Sequence, residues 1–299
     1  MIVKKKRVIF TIFLIFVSGL LCGGIIEHNY FKEENQTFRY SNQYLPPFGN
    51  PSNWKIFDSE GIVIVDYAGD LGKQYNPVTI SQCALVNYNY YVNTGEKSYK
   101  QVFLRHTDWL VEHQKITPKG FGGWYYNFPW QPYQCKNPWV SAMAQGQAIS
   151  VLVRAYALTQ DKSYLKSARL AVDAFEYSVD EGGVRFIDKN GNVFYLEYAS
   201  ELHPYVLNGF IFSLLGLYDY YQTAGSRKAL KLFNEGIQTL KVRLKDYDTG
   251  DWTYYDLLGH KAGESYHKLH CKLLFELYFI TGQHLFLDYA QKWYSYLQR

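Results

Sequence analysis

Tyr91-Val-Asn-Thr-Gly95, Tyr156-Ala-Leu-Thr-Gln160, Tyr221-Gln-Thr-Ala-Gly225 and Tyr278-Phe-Ile-Thr-Gly282 are four versions of one short ending. Each closes an apolar helical run, and each is followed within a few residues by another, as in Lys162-Ser-Tyr-Leu-Lys-Ser-Ala-Arg169. The Gly that closes three of them suits the left-handed residue that stops a helix. The threonines at 94, 159, 223 and 281 are spaced 65, 64 and 58 residues apart, which predicts four helix–turn–helix units. An αα pair cannot bury its own apolar face, so the pairs must stack on one another. Closed into a ring they make an α/α toroid; left open they make a solenoid. The expected fold class is all-α: an α/α toroid of about four helix-hairpin repeats over residues 79–299, with a central cavity lined by the inner helices.

Outward from this region the chain changes character. Residues 33–78 read as a linker and a small β/loop extension: Pro46-Pro47 and Pro51 break helices, and Gly61-Ile-Val-Ile-Val-Asp66 is a short β-branched run. Residues 1–32 begin with Lys4-Lys5-Lys6-Arg7 and continue with 19 uncharged residues at 8–26, about the length that spans a bilayer as a helix. The basic flank predicts a signal-anchor helix with a cytoplasmic N-terminus and an extracytoplasmic catalytic domain, in a bacterial envelope or a Golgi lumen. The expectation is therefore a single-pass membrane protein. A cleaved signal peptide and a lipoprotein built on Cys22 are the alternatives. No small-x-small cleavage site follows the apolar run, and Leu21 stands where a lipoprotein needs a small residue.

Of 299 residues, 47% are apolar and 19% charged, which excludes a disordered chain. Lys4, Lys5, Lys6, Arg7 and Lys32 against Glu27 account for the whole formal charge of +4, so the remainder is neutral. No basic field exists to attract nucleic acid, and an anionic ligand needs a local cleft. Aromatic residues reach 18%, including 29 Tyr and 7 Trp. Such rings offer a flat apolar face and a polar edge, which suits a sugar. Outside residues 1–32 the cysteines are Cys83, Cys135 and Cys271, without a CxxC, and Cys83 and Cys271 sit in apolar stretches that suit small core residues.

The connectors at 121–137, 181–205 and 246–265 are rich in Gly and aromatics, and each precedes the first helix of a pair. They should emerge at one rim of the ring. Within them and beside them, Gly122-Gly-Trp-Tyr-Tyr-Asn-Phe-Pro-Trp130 forms an aromatic loop, with Trp124 and Trp130 as candidates to stack on sugar rings and Tyr125 as a further substrate-binding candidate. Ser141-Ala-Met-Ala-Gln-Gly-Gln-Ala-Ile-Ser150 opens a helix with Ser141 as its N-cap. Gln145 and Gln147 either bind sugar hydroxyls or cap neighbouring loops. Arg154 is a candidate partner for a carboxylate. His267 and Cys271 share a helix face at metal-ligand spacing, but no further cluster joins them; no metal is expected, and His267 is read as lining the site.

SAMAQGQAISVLVRAY (141–156), VLNGFIFSLLGLYDYY (206–221), YDTG (247–250), YDL (255–257) and YHKLH (266–270) resemble the carboxy-terminal catalytic domain of D-glucuronyl C5-epimerases, which turn D-glucuronate into L-iduronate in heparosan-like chains. The resemblance covers most of residues 120–299 and implies an α/α toroid. It implies Glu197, nine residues before VLNGF, Tyr255 of YDL and Tyr266 as catalytic residues. Tyr198 and Asn208 become substrate-binding residues, and the substrate is an anionic uronic-acid polysaccharide. Animal members carry Arg directly after YDL, where this chain has Leu258, and an Arg-Trp-Asp-Tyr-His run where this chain has Gly263-Glu264-Ser265-Tyr266-His267.

Epimerisation at C5 removes a proton alpha to a carboxylate and returns one on the opposite face. It needs a base on each face and a means to quench the carboxylate charge. A phenol and a carboxyl raised by burial can fill these posts. The expected arrangement has Tyr266 and Glu197 flanking the ring, with Tyr255 hydrogen-bonding the carboxylate or sharing a proton relay. Direct deprotonation calls for no cofactor, and no G-x-G-x-x-G is present. The alternatives are a uronate polysaccharide lyase, which begins with the same proton abstraction, a glycoside hydrolase using a second carboxylate such as Asp256 or Glu201, and a non-catalytic uronan-binding protein. Pairing with a second copy as a homodimer is left open.

Overall fold

The computed structural model describes residues 49–67 and 69–298. Eight α-helices stand among them, in four consecutive hairpins: α1 (Pro77–Thr94) with α2 (Lys97–His113), α3 (Ala142–Thr159) with α4 (Lys162–Asp173), α5 (Leu207–Ala224) with α6 (Arg227–Arg243), and α7 (Glu264–Thr281) with α8 (His284–Tyr296). Within each hairpin the partners pack together. The first members also pack in series, α1 on α3, α3 on α5 and α5 on α7. This inner row is why the two kinds of helix read differently. Helix α3 is buried from Ala142 to Ala155, so it is apolar nearly all round. Helix α4 exposes one face and buries a narrower stripe built on Tyr164, Ala168, Ala171 and Val172.

Each inner helix starts and stops on local chemistry. Asn76 Oδ1 accepts the Val78 and Thr79 amides at 2.9 and 3.2 Å, with Pro77 at the first helical position. Ser141 Oγ accepts the Ala144 amide at 3.2 Å. At the other end the four repeated motifs supply the stop. Gly95, Gly225 and Gly282 have φ of 74°, 65° and 65°, and Gln160 takes the same left-handed turn at 63°. Helices α3 and α5 cross closely because neither has a side chain at the crossing: a Cβ on Gly216 would overlap the Gly146 carbonyl, and one on Gly146 would meet the Phe212 carbonyl.

The connectors carry four two-stranded antiparallel ribbons. β1 (Val65–Tyr67) pairs with β2 (Gly72–Gln74), β3 (Lys115–Ile116) with β4 (Gly122–Gly123), β5 (Tyr125–Tyr126) with β6 (Trp139–Val140), and β7 (Arg185–Ile187) with β8 (Val193–Tyr195). All four ribbons lie just upstream of an inner helix, so the strand-bearing loops gather where the inner helices begin. The all-α expectation is adjusted accordingly: the described chain is mostly helical, with short ribbons in its connectors.

The membrane expectation is corrected. No helix among the described residues is long and apolar enough to cross a membrane, and residues 8–26, on which the signal-anchor reading rested, lie outside the described residues. Among the described residues the fold is a series of packed helical hairpins with no membrane-spanning helix, and the single-pass assignment is not supported. Cys83, Cys135 and Cys271 are free thiols in buried positions, and burial pushes each up to about 12.

Candidate active site

The N-terminal ends of all four inner helices border one cavity of about 450 Å³. Helix α1 contributes Val78, Thr79 and Gln82, α3 contributes Met143, α5 contributes Asn208, and α7 contributes Ser265, Tyr266 and Leu269. The connectors close the walls with Tyr126, Phe128, Trp130 and Trp139 from one side and Glu197 and Tyr198 from another. Glu197 is the one carboxylate in this lining among the described residues, and no Lys or Arg lines it.

Glu197 follows β8, and its carboxyl lies against the first turn of α5 at Gly209. It is buried, and Oε2 makes no hydrogen bond. Burial raises the Glu197 carboxyl to about 8, against a smaller opposing effect from the Tyr198 hydroxyl. Tyr198 stacks on Tyr133 at 4.4 Å between ring centroids and leans on Trp139 at 5.8 Å. Tyr133 in turn donates its hydroxyl to the fully buried Asp256 at 2.6 Å.

Tyr266 stands at the start of α7, in part open to solvent, with its ring edge-on to that of Tyr255 at 4.9 Å. Tyr255 does not line the cavity; it stands behind Tyr266. Its backbone is tied at both sides: the Leu207 amide donates to its carbonyl at 3.0 Å, and its own amide donates to the His260 carbonyl at 2.7 Å. Burial raises the hydroxyls of Tyr198, Tyr255 and Tyr266 above the ordinary phenol value, and the neighbouring Glu197 raises each further. Hydrogen bonding from Tyr255 works the other way on Tyr266 and holds its value down. Glu197, Tyr198, Tyr255 and Tyr266 thus form one electrostatically connected group reached from three separate elements.

The other expected residues divide. Asn208 faces the cavity with Oδ1 buried and unpaired, while Nδ2 lies 3.9 Å from Met143 Sδ. Trp130 lines the cavity, but Trp124 does not: its ring is in the core and Nε1 donates to the Leu110 carbonyl at 2.8 Å, leaving no face for a sugar. Gln145 is a loop cap. Its amide nitrogen donates to the Gly122 carbonyl at 2.9 Å and its oxygen accepts the Trp124 amide at 3.2 Å. Gln147 is sealed between helices and its amide makes no hydrogen bond. Tyr125 lines a neighbouring pocket. Arg154 is paired with Asp219 at 2.6 Å in the interior, thirteen residues down α3 from Ser141 and so roughly 20 Å along the axis. One residue past Tyr266, the helix has turned His267 away from the cavity. Its ring stacks on Trp252 at 3.8 Å, Nδ1 pairs with Thr253 at 2.8 Å and Nε2 with the Trp293 carbonyl at 2.9 Å. Both ring nitrogens are engaged, so the spacing to Cys271 has no metal-binding meaning.

Sequence reading missed the α1 wall. Gln82 is buried with its side chain on the cavity, and Asn76 links Tyr126, whose hydroxyl donates to its Oδ1 at 3.0 Å, to Tyr67, which accepts from its Nδ2 at 2.7 Å. Asn76-Pro77 is a helix-start signature and was the available signal.

Three comparisons bear on this site. The family model described as "D-glucuronyl C5-epimerase C-terminus" matches residues 119–295. The chain is 33% identical to the uncharacterized protein MJ1128 of Methanocaldococcus jannaschii, covering 98% of this chain and 99% of that protein. It is 34% identical to D-glucuronyl C5-epimerase of Caenorhabditis elegans over 69% of this chain, but spans 36% of the worm protein's length. Among solved structures, the Lin0763 protein of Listeria innocua superposes with a TM-score of 0.51 at 15% identity, covering 73% of this chain and 59% of that one. Cellobiose 2-epimerase of Spirochaeta thermophila does so with a TM-score of 0.51 at 11% identity, covering 72% and 57%. These two likenesses speak for the fold alone. The match to the family model takes in more than half of the chain, and with it the cavity walls formed by α3, α5 and α7: the protein belongs to the D-glucuronyl C5-epimerase C-terminal family, an epimerase family.

Proposed function

We propose that the protein is a carbohydrate epimerase that inverts C5 of D-glucuronate residues in a heparosan-like uronan, giving L-iduronate. The observation that carries this reading is the shared cavity of Glu197 and Tyr266: a carboxyl and a phenol, from different elements, border one space that a sugar ring can enter. In this reading Glu197, in its ionised form, removes the C5 proton from one face, and Tyr266 delivers its phenolic proton to the other. Tyr255 stabilises the resulting phenolate through its hydroxyl, consistent with its lowering effect on Tyr266. Tyr198, between Glu197 and Tyr255, offers the path by which the proton held on Glu197 returns to Tyr266. A carboxyl near 8 is well matched to proton transfer near neutral pH. The substrate carboxylate meets neutral donors here, since no Lys or Arg among the described residues lines the cavity.

The geometry disfavours a hydrolase, because Asp256 is spent on Tyr133 and His260 and Glu201 lines a different pocket. The test is proton exchange in heavy water with an unsulfated glucuronate–glucosamine polymer. Label entering C5 at unchanged chain length is the expected result, lost in Glu197→Gln and Tyr266→Phe. An ultraviolet-absorbing unsaturated end would instead show β-elimination, and binding without exchange would leave a non-catalytic uronan-binding protein.

A further inference from the structure

Tyr255 and Tyr266 stand on separate elements, the connector after α6 and the first turn of α7, and one side chain joins the two. Thr253 is two residues before Tyr255, and His267 is one residue after Tyr266. The Thr253 hydroxyl lies 2.8 Å from His267 Nδ1 and 3.1 Å from His270 Nδ1, and all three side chains are fully buried. Only one distribution of protons serves these contacts. His267 Nε2 faces the Trp293 carbonyl at 2.9 Å, and a carbonyl only accepts, so Nε2 carries the hydrogen. Burial lowers both imidazoles below the ordinary value, His270 to about 3, so each ring is neutral with a single N–H. His267 Nδ1 is therefore an acceptor, and the Thr253 hydroxyl donates to it. The Thr253 oxygen then accepts from His270 Nδ1, which leaves His270 Nε2 bare, and that nitrogen makes no hydrogen bond.

This clamp completes a frame around the site. The connector is a narrow hairpin: the Ala262 amide donates to the Thr253 carbonyl at 2.8 Å, and the Tyr255 amide to the His260 carbonyl at 2.7 Å, so Thr253 and Tyr255 are held as one piece. Tyr255 is bound in turn to the start of α5 by the Leu207 amide, and the same first turn of α5 seats Glu197 against Gly209. Glu197 and Tyr255 thus share one support. Tyr266 is carried by another helix, α7, which the Thr253 hydroxyl fastens to that support at the turn that bears Tyr266. Trp252 adds bulk to the joint: its ring stacks on His267 at 3.8 Å and its Nε1 donates to the Ala262 carbonyl at 2.7 Å. Stacked rings tolerate sliding, whereas a directional hydrogen bond sets the register.

We infer that Thr253 is a positioning residue for the C5 epimerisation proposed above: its hydroxyl fixes the rotation and depth of α7 and so holds Tyr266 at its working distance from Glu197 across the sugar ring. The inference rests on that functional reading. Thr253 is buried and does not line the cavity, so it acts through His267 on the turn that bears Tyr266. A displacement of about 1 Å at a reacting group costs on the order of a hundred-fold in rate.

Thr253→Val keeps the shape and removes the hydroxyl, while Thr253→Ser keeps the hydroxyl. On an unsulfated glucuronate–glucosamine polymer in heavy water, Thr253→Val should lower the saturated C5 exchange rate by about ten- to a hundred-fold with KM within about two-fold of the parent, and Thr253→Ser should restore the rate to within about three-fold. In a Tyr266→Phe background the Val substitution should cost less than about two-fold, because the group it misplaces is already gone. An undiminished loss there would give Thr253 a general structural role and overturn the inference, as would a parental rate in Thr253→Val. Nitrogen NMR of the imidazoles in the parent protein gives a reading that needs neither turnover nor a folded variant. His267 should carry its hydrogen on Nε2 and His270 on Nδ1, and the other tautomer at either ring overturns the clamp. The expected tautomers in a parent that shows no C5 exchange would instead sink the epimerase reading and leave the clamp as a joint between connector and helix.

Discussion

Gly209 and Glu197 occupy space that only a glycine leaves free: a Cβ built on Gly209, in the first turn of α5, would overlap the Glu197 carboxyl. The position of the buried acid is therefore set by an absent side chain. Gly209→Ala should displace the carboxyl and lower C5 exchange by at least about a hundred-fold while costing about 1–3 kcal/mol of stability. Exchange rates and urea midpoints on the same preparation check both. Full activity in a well-folded Gly209→Ala protein would show that the placement of Glu197 is irrelevant.

The pH dependence of stability follows from the same burial. The ordinary glutamate value is 4.5, and the folded protein raises Glu197 to about 8. Between those values the folded protein holds a proton that the unfolded chain has released. The stabilising contribution is complete below the unfolded value and is lost as pH rises through the folded one. Urea midpoints should thus fall with rising pH across this window, and the fall should be shallower in Glu197→Gln, which has no proton to lose. The exchange rate should move oppositely, rising as Glu197 ionises.

Tyr266 and Tyr255 should separate in their kinetics. Tyr266→Phe removes the proton donor to one face and should lower kcat by about a thousand-fold. Tyr255→Phe removes only the hydroxyl behind it and should cost about ten-fold, with KM little changed in both. Steady-state exchange on one substrate measures both losses; equal effects would argue against a supporting role for Tyr255.

Asp256 should matter to folding more than to chemistry. It is fully buried and accepts from Tyr133 Oη at 2.6 Å, from His260 Nδ1 at 2.7 Å and from the Leu258 amide at 3.0 Å. Asp256→Ala leaves these donors unsatisfied in the loop that holds Tyr255, and should cost about 3 kcal/mol. Denaturant titration reads this directly.

At the crossing of α3 and α5, Gly216→Ala should force the helices apart, because the new methyl meets the Gly146 carbonyl. The cost should be about 3 kcal/mol, well above the small gain in helix propensity that alanine offers. A thermal scan of the variant against the parent settles the sign.

Local signals made the helical repeats legible: Ser141 starts a helix, and Gly95, Gly225 and Gly282 stop theirs, all through bonds within a few residues. Glu197, Tyr255 and Tyr266 were legible as a set only through resemblance of the surrounding motifs. Their juxtaposition joins positions nearly seventy residues apart, which local propensity does not encode.

What the sequence by itself determined is the hairpin count, the helix ends and the connectors that bear the aromatic residues, because each depends on neighbours along the chain. Tertiary structure alone decided which of the polar and aromatic residues face the cavity. Trp124 and Gln145 carry the same functional groups as the wall residues Trp130, Trp139 and Gln82, and Arg154 and His267 are as able to bind a sugar, yet each of the four makes its polar contacts within the core. Whether a polar side chain binds ligand or protein depends on which helix packs beside it, and a rotation of one residue along α7 was enough to put Tyr266 in the cavity and His267 behind it.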